Sequence, residues 1–536
     1  MSQLHQEVML EKVNYLVKDH PSSHTTKYDM KVPSLYKFYI FFFSIIASLL
    51  TVAVPFFADT ANSIQSQNLY IGMMLTKGQI PYSDLFTTGG FLFFVLIALS
   101  YHLGTTVWLV LVQALCFYLT GVYFYKLVHY VTGIQKVALG FTAIYYLLSV
   151  SLGFGGLYAI QLALPFVLVS LWFLTKYFAG LVKDEAFILF GFAAAIAMLI
   201  EPRTLLFWLL ACIAIIAYNV SQKHFARGFY QLLAAILGML LVFYTAGYFI
   251  LNLQILSPYL EQALVYPFSY FVTGDLSLVL GLTVQLGLVL GLGLLTGLLT
   301  FMKQPKLESD LAMKWLLVFV VLSYAGIAVV SHDFHTYHLL PLLPYALILL
   351  SSSVGRQYEA GLRTVSHRRR KGKNGARRVI AIYLNKHFYV PAIIMLGAVF
   401  GTAYQYVTSS AINQERSQIA HYLRQRLAED QPIYVWDDTS KIYLETQAKS
   451  ASQFASPFVN LKKESHQQML EDELLQNKAA YIVVNKQKAL PKAVKKIVTA
   501  NYKIDRKIDV KGFSLYQKKI NKINILCRHK KLNTIY

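Results

Sequence analysis

A carboxylate stands where a membrane helix runs out. The stretch AVPFFADTANSIQSQNLYIGMMLTKGQIPYSDLFTTGG (53–90) closes an apolar run with Asp59 and continues through mostly polar residues to PYSDLF, which carries Asp84. An acid roofed over beside lipid can be tuned as a general base, because its surroundings rather than bulk water then set its proton affinity. Read plainly, Asp59 is a solvated helix end. Asp84 has a Pro-aided turn beside it and reads equally as a local cap or a binding group. Glu201 and Arg203, in LIEPRTLLF, lie between two apolar runs. Charges at such depth are costly unless paired or used. They read either as an ion pair or as a guanidinium that grips a phosphate with two N–H groups, with Lys77 as an auxiliary point charge. His332, Asp333, His335, Tyr337 and His338 precede LLPLLPYAL. Their spacing matches no strong metal-ligand signature, so hydrogen bonding to a phosphate or sugar is the better reading, and no cofactor is expected. Gln161, at the start of a helix, is uncharged and serves only as a hydrogen-bond partner.

The elements that must position these groups are membrane helices. The chain has 536 residues, 56% hydrophobic and only 14% charged, with a mean hydropathy of +0.47. Apolar runs close to twenty residues long recur, the pattern of a polytopic membrane protein. Spans are expected at 37–57, 107–125, 137–152, 161–177, 186–201, 204–220, 229–251, 276–302, 315–331, 338–354 and 389–409. The first follows a long polar segment, which argues for a retained anchor and not a cleaved signal peptide. Cys116, Cys212 and Cys527 are far apart, and no CxxC pattern occurs, so neither a disulfide framework nor a cysteine metal site is expected.

The segment GGFLFFVLIALSYHL (89–103) is apolar but too short to cross a bilayer. Cytoplasmic loops carry excess Lys and Arg. If 89–103 lies along the outer surface, the cytoplasmic side gathers the Lys residues before 38, Lys126, Lys136, Lys176, Lys183, Lys223, Arg227, Lys303, Lys306 and Lys314. The loop 355–388, with its run HRRRKGKNGARR, falls on the same side. The short outer loops then keep only Lys77 and Arg203. If the segment spanned, the later loops would change sides and the bias would collapse. The expected topology puts Asp59, PYSDLF, GFGGLYAIQ, EPR, the 252–274 loop and HDFHTYH on one outer face. Tyr70 and Tyr82 read there as interfacial aromatics. The net charge of +22 is then a topology anchor at anionic lipid, not a nucleic-acid surface.

Composition divides the chain into a cytoplasmic segment (1–36), a transmembrane domain (37–409, with first outer loop 58–106), a small extracytoplasmic α/β domain (410–520) and a basic tail (521–536). In the α/β domain QPIYVWDD and AAYIVVNK read as strands, ESHQQMLEDELLQNK as a helix, and YKIDRKIDVKGFSLYQKK as a closing hairpin. No GxxxxGK[ST], GxSxG or strand-borne GxGxxG occurs, so ATP-driven pumping and serine-hydrolase chemistry have no support.

These features together resemble a known family. An Asp after the first helix, KGQIPYSDLF, and an apolar interfacial segment ending in HLG look like the GT-C superfamily of membrane glycosyltransferases. The closest likeness is to the bacterial branch of protein O-mannosyltransferases and lipid A aminoarabinose transferases. YHLLPLLPYALIL is similar to that branch's late helix, and IYVWDDTSKIYLETQ…AAYIVVNK to its terminal domain. The resemblance implies a multi-pass cell-membrane enzyme with its N-terminus cytoplasmic. It implies transfer of a sugar, usually with inversion, from a polyprenyl-phosphate-linked donor to an acceptor outside: a wall polysaccharide, a teichoic acid or a protein. By position Asp59 matches the family's first-loop catalytic carboxylate. Arg203, Lys77 and His335 would hold the phosphate. Where many relatives carry a second acid this chain has Thr60 and Gln161, and where many carry a Lys it has Thr87-Thr88-Gly89-Gly90. Two other readings stay open: a transporter or flippase of lipid-linked saccharide, and a non-catalytic member of an envelope-polymer assembly. The Lys-, Asn- and Tyr-rich composition suggests a Gram-positive bacterium.

Overall fold

The computed structural model describes residue 28 and residues 30–519, apart from 53–54, 57–60, 270–277, 303–310, 331–334, 365–374, 388–409, 429, 458–460, 462, 477 and 509. Helix α1 (Ser34–Thr51) leads into a first loop that holds α2 (Ser63–Thr76) and α3 (Phe91–His102). Then follow α4 (Val107–Thr132), α5 (Gln135–Leu152), α6 (Ala159–Phe178), α7 (Phe187–Ile200), α8 (Leu205–Ser221), α9 (Phe225–Asn252), α10 (Leu278–Gly291), α11 (Thr296–Met302), α12 (Leu311–Val330), α13 (Leu343–Thr364) and α14 (Gly375–His387). Seven of these, α1, α4, α5, α6, α8, α9 and α12, are long and apolar enough to cross a bilayer. The pair α10 and α11, bent by 70° at its break, makes an eighth. The expected spans at 186–201 and 338–354 correspond to α7, of 14 residues, and to α13. The expected span at 389–409, Cys527 and the basic tail lie outside the described residues.

Helix α3 has 12 residues. At 1.5 Å per residue it is about 18 Å long, well short of a hydrocarbon core of about 30 Å. It folds back on α2, where Gly72 leaves the space that Ile97 occupies. Small residues set the tightest helix contact as well: α7 and α9 meet backbone to backbone through Gly191 against Ala235 and Gly238 against Ile188.

The terminal domain begins with a helical stretch, α15 (410–424), and continues with β1 (Ile433–Trp436), α16 (Lys441–Thr446), α17 (Glu464–Leu475), β2 (Tyr481–Asn485), α18 (Lys492–Asn501), β3 (Tyr502–Ile504) and β4 (Phe513–Lys518). The sheet order is β1-β2-β4-β3, with β1 parallel to β2 and the other pairs antiparallel. Both apolar strand runs and the closing hairpin stand where their alternation places them. The residues Tyr481, Val483 and Leu515 face one core, and Ile482 and Val484 the other. This period of two is what a sheet covered on both sides requires.

The domain rests on the first loop. Tyr70 stacks on Tyr443, with ring centroids 4.8 Å apart, and its hydroxyl donates to the Ala448 carbonyl at 3.1 Å. The Ser440 N–H donates to Ser66 Oγ at 3.1 Å, and the Phe86 N–H to the Gln453 carbonyl at 3.0 Å. Phe86 lies in one aromatic cluster with Tyr266, Phe454 and His466. Tyr70 and Tyr82 are thus buried and do not sit as interfacial aromatics.

Candidate active site

The end of α1, the start of α2, the α5–α6 connection and the turn before α13 meet at one end of the helix bundle. The Gly155 N–H donates to the Leu50 carbonyl at 3.2 Å, and the Asn62 N–H to the Gly155 carbonyl at 2.9 Å. Thr336 Oγ1 donates to the Leu152 carbonyl at 3.0 Å. Asn62 caps α2, its side-chain oxygen accepting the Gln65 N–H at 2.9 Å, as a short polar side chain at that position is suited to do. Its amide nitrogen donates to the Tyr158 hydroxyl at 2.9 Å. Tyr158 stacks on Tyr337, centroids 5.1 Å apart and 22° off parallel. Tyr337 in turn lies within electrostatic reach of Arg203. Contacts therefore run from Asn62, three residues beyond Asp59, to Tyr337, which lies within electrostatic reach of the guanidinium.

Arg203 follows the break between α7 and α8. Glu201 ends α7, and Pro202 opens a 3-10 turn, Pro202–Thr204, in which a missing N–H is no loss. Glu201, only 3% exposed, grips its neighbour twice: Arg203 Nε donates to Oε1 at 2.8 Å and NH2 to Oε2 at 2.9 Å. The Arg203 side chain is 40% exposed. Of the five N–H donors of a guanidinium, Glu201 engages two. The edge bearing NH1 faces no carboxylate among the described residues, and it presents the geometry that grips a phosphate. The Tyr324 hydroxyl donates to the Arg203 carbonyl at 3.1 Å and fixes the turn from behind.

The first loop is seated against this turn. The Gly90 N–H donates to the Ile200 carbonyl at 3.2 Å, and a Cβ on Gly90 would fall on the carbonyl oxygens of Leu199 and Ile200. From above, Gln262 clamps the loop: its Nε2 donates to the Tyr82 carbonyl at 2.7 Å, and its Oε1 accepts the Thr87 N–H at 3.0 Å. Gln262 sits in a π-helical stretch, Leu260–Val265, an uncommon winding that recurs at functional sites. Tyr82 takes a left-handed φ of 70°, and its hydroxyl donates to the Gly89 carbonyl at 2.8 Å. Its ring meets that of Tyr259 edge-on at 5.0 Å. Burial and then the nearby Glu201 carboxylate push the Tyr259 phenol up to about 12. Burial likewise raises Tyr158, so both stay neutral near physiological pH.

The other expected site residues distribute unevenly. His335, Tyr337 and His338 stay together around the 3-10 turn Thr336–Leu339, with ring separations of 5.4 and 4.3 Å from Tyr337. Gln161 is buried in the core, where Gln113 Nε2 donates to its Oε1 at 3.1 Å and its own Nε2 donates to Ser149 Oγ at 3.4 Å. Asp84 closes a local turn, accepting the Ile80 N–H at 2.8 Å. Lys77 reaches the terminal domain, donating to the Gln447 carbonyl at 2.8 Å and to Gln447 Oε1 at 3.1 Å. Asp59, Thr60, His332 and Asp333 lie outside the described residues. Among the described residues no group of three or more His, Cys, Asp or Glu side chains could hold a metal. Asn62, Tyr158, Tyr259, Gly90 and Gln262 were not singled out by residue type. The signals available were the Asn-Ser start of α2 and the expected outer placement of GFGGLYAIQ.

Residues 25–410 match the family model described as "Putative competence-induced protein Ccs4 N-terminal domain", and residues 413–519 match "Putative competence-induced protein Ccs4 C-terminal domain". The chain belongs to the Ccs4 family. No curated protein matches its sequence. Among solved structures, this Ccs4-family chain is similar to ArnT from Cupriavidus metallidurans, both bound to undecaprenyl phosphate and in the apo state. Identity is 12%, 90% of this chain and 97% of that one are covered, and the TM-score is 0.52. It is also similar to the arabinofuranosyltransferase AftD from Mycobacteria, at 15% identity over 92% of this chain and 42% of that one, with a TM-score of 0.48. The Ccs4-family chain has the fold that ArnT has.

Proposed function

We propose that this protein is a membrane glycosyltransferase that moves a sugar from a polyprenyl-phosphate-linked donor to an acceptor of the bacterial cell envelope, on the outer face. The observation that carries the reading is the Arg203 fork, held from one side by Glu201 and open on the other. It stands in line through Tyr337 and Tyr158 with Asn62, three residues after Asp59. The binding of undecaprenyl phosphate by ArnT, which has the same fold, supports a lipid-phosphate donor.

In the reaction, the acceptor hydroxyl attacks the anomeric carbon from the side opposite the lipid phosphate. The new C–O bond forms as the anomeric C–O(phosphate) bond breaks, and its electron pair leaves with the phosphate oxygen. Asp59 takes the acceptor proton, a contribution of about 10²–10⁴-fold. Arg203 stabilises the charge that grows on the departing phosphate, an effect of about 10²–10³-fold in comparable sites. Attack opposite the leaving group inverts the anomeric centre. The lipid phosphate is a preformed leaving group, so no nucleotide-binding fold is needed. His335 and His338 supply hydrogen bonds to donor or sugar, and Asp84 and Gln161 have structural roles.

The test is turnover of a polyprenyl-phosphate sugar by purified protein in nanodiscs, read as release of lipid phosphate. Release is expected from the wild type and lost at least about 100-fold in Asp59→Asn and Arg203→Gln. Movement of intact donor across vesicles, unaffected by Asp59→Asn and without lipid-phosphate release, would replace the transferase with a transporter.

A further inference from the structure

Lys77 lines a cleft at the end of α2 opposite Asn62. A cleft of about 300 Å³ lies between the first loop and the terminal domain, lined by Leu69, Met73, Thr76, Lys77, Tyr101 and Leu444, with Gln447 at its rim. That volume is at the lower end of small-molecule sites. The floor is apolar: Leu69 and Met73 are buried. One lining residue, Lys77, is cationic. The Lys77 ammonium has no carboxylate partner among the described residues, and Lys449 and Arg424 lie within its electrostatic reach. One acid answers them there, Asp430, and Lys449 already holds it at 2.7 Å. Burial lowers the Lys77 pKa, and the two neighbouring cations lower it further against the pull of Asp430. Such a cluster of like charges is costly for the empty protein and is relieved when an anion binds.

Helix α2 relates this cleft to the site above. It starts at Asn62, which bonds Tyr158, and ends at Thr76 and Lys77 in the cleft. Its 14 residues set Asn62 and Lys77 about 21 Å apart. That separation suits one extended chain better than one small molecule.

We propose that this cleft binds the acceptor, and that the acceptor is an anionic saccharide or polyol polymer whose repeating phosphate or carboxylate groups sit on Lys77, Arg424 and Lys449. The term acceptor rests on the transferase reading; the binding itself does not.

The test measures binding to full-length protein in zwitterionic-lipid nanodiscs, with a poly(glycerol phosphate) oligomer and a neutral dextran oligomer of matched length as probes. Poly(glycerol phosphate) is expected to bind, more weakly as salt is raised, and dextran at least about tenfold less tightly. Arg424→Gln, an exposed change outside the domain contact, and Lys77→Gln are each expected to weaken binding about five- to tenfold, roughly the loss of one charge-assisted contact. Lys503→Gln, on the far edge strand β3, is expected to leave it unchanged. Equal affinity for dextran, no binding of the anionic oligomer, or an effect of Lys503→Gln equal to that of Arg424→Gln would overturn the proposal. Binding that vanishes when the nanodisc lipid is made anionic would assign the cleft to lipid headgroups instead. A protein that binds the polymer as described yet never releases lipid phosphate would retain the cleft and lose the transferase.

Discussion

The rings of Tyr158 and Tyr337 stack 5.1 Å apart, and this one contact joins the α5–α6 connection to the turn before α13. On its far side Asn62 donates to the Tyr158 hydroxyl, and on its near side Tyr337 faces Arg203. Tyr337→Phe keeps the stack and removes the hydroxyl beside the guanidinium. Its melting temperature should stay close to wild type while transfer falls about tenfold as the guanidinium loses a polar neighbour. Tyr337→Ala should lose both, with about 0.5–1.5 kcal/mol of ring pairing gone in addition to the buried area. A Phe variant as inactive and as unstable as the Ala variant would assign Tyr337 to packing alone.

The Glu201–Arg203 clasp is open to a double-mutant cycle. Arg203→Gln leaves a buried carboxylate unpaired. A fully buried broken pair costs about 3–5 kcal/mol, and the 40% exposure of Arg203 reduces this to about 1–2 kcal/mol. Glu201→Gln should cost less, because the amide oxygen still accepts one N–H. The double variant should recover part of the loss, with a coupling of about 1 kcal/mol in thermal unfolding. Strict additivity would mean that the two side chains do not depend on each other.

Gly90 has no room for a methyl group, so Gly90→Ala should push the first loop off the end of α7. Melting should fall, and the loop should become more accessible to protease than in wild type. Gly247, within α9, has nothing within 4 Å of an added Cβ. Gly247→Ala should therefore be neutral or stabilise by up to about 1 kcal/mol through helix propensity. Equal effects at the two sites would contradict the seating of the loop on Ile200.

A buried ion network ties α15 to the sheet. Arg416 makes two bonds to Asp437, at 2.7 and 2.9 Å, and one to Asp438 at 2.7 Å, while Lys488 meets Asp438 at 3.1 Å. Burial raises the Asp438 carboxyl, but Arg416, then a hydrogen bond with Asp437, then Lys488 outweigh it and hold it below its ordinary value of 3.8. A carboxyl depressed in the folded state gives stability that is complete above the unfolded value of about 3.9 and is lost as pH falls through the folded one. The loss therefore lies below about pH 4. Wild type should lose melting temperature more steeply than Asp438→Asn as pH drops through that window. Arg416→Met, which strands Asp437, should cost about 3–5 kcal/mol at neutral pH.

Much of the fold was readable from pattern alone. Long apolar runs such as 107–132 and 229–251 have one stable solution in lipid, and IYVW and YIVV declare buried strands by their β-branched and aromatic content. The first loop was less readable. Helix α2 buries Gln65, Ser66 and Gln67 beside Leu69 and Tyr70, so its apolar period is broken by side chains that hydrogen-bond inward. The Glu201–Arg203 pair was visible as two charges between apolar runs, and the structure shows them clasped. Gln161 and Lys77 were not legible from residue type. A helix-end Gln looks the same whether it faces a site or, as here, Gln113 and Ser149. A loop Lys does not say which partner it reaches. Tertiary partners far along the chain decide both.

The terminal domain touches the first loop through Tyr70 with Tyr443, Ser66 with Ser440, and Phe86 with Gln453. During synthesis the loop leaves the ribosome early and its covering surface near the end. In between, Tyr70 and Phe86 wait uncovered while the remaining spans insert. A late-made part of the chain therefore finishes an early-made loop, and a nascent chain truncated before residue 433 should remain in the membrane as a client for chaperones and proteases.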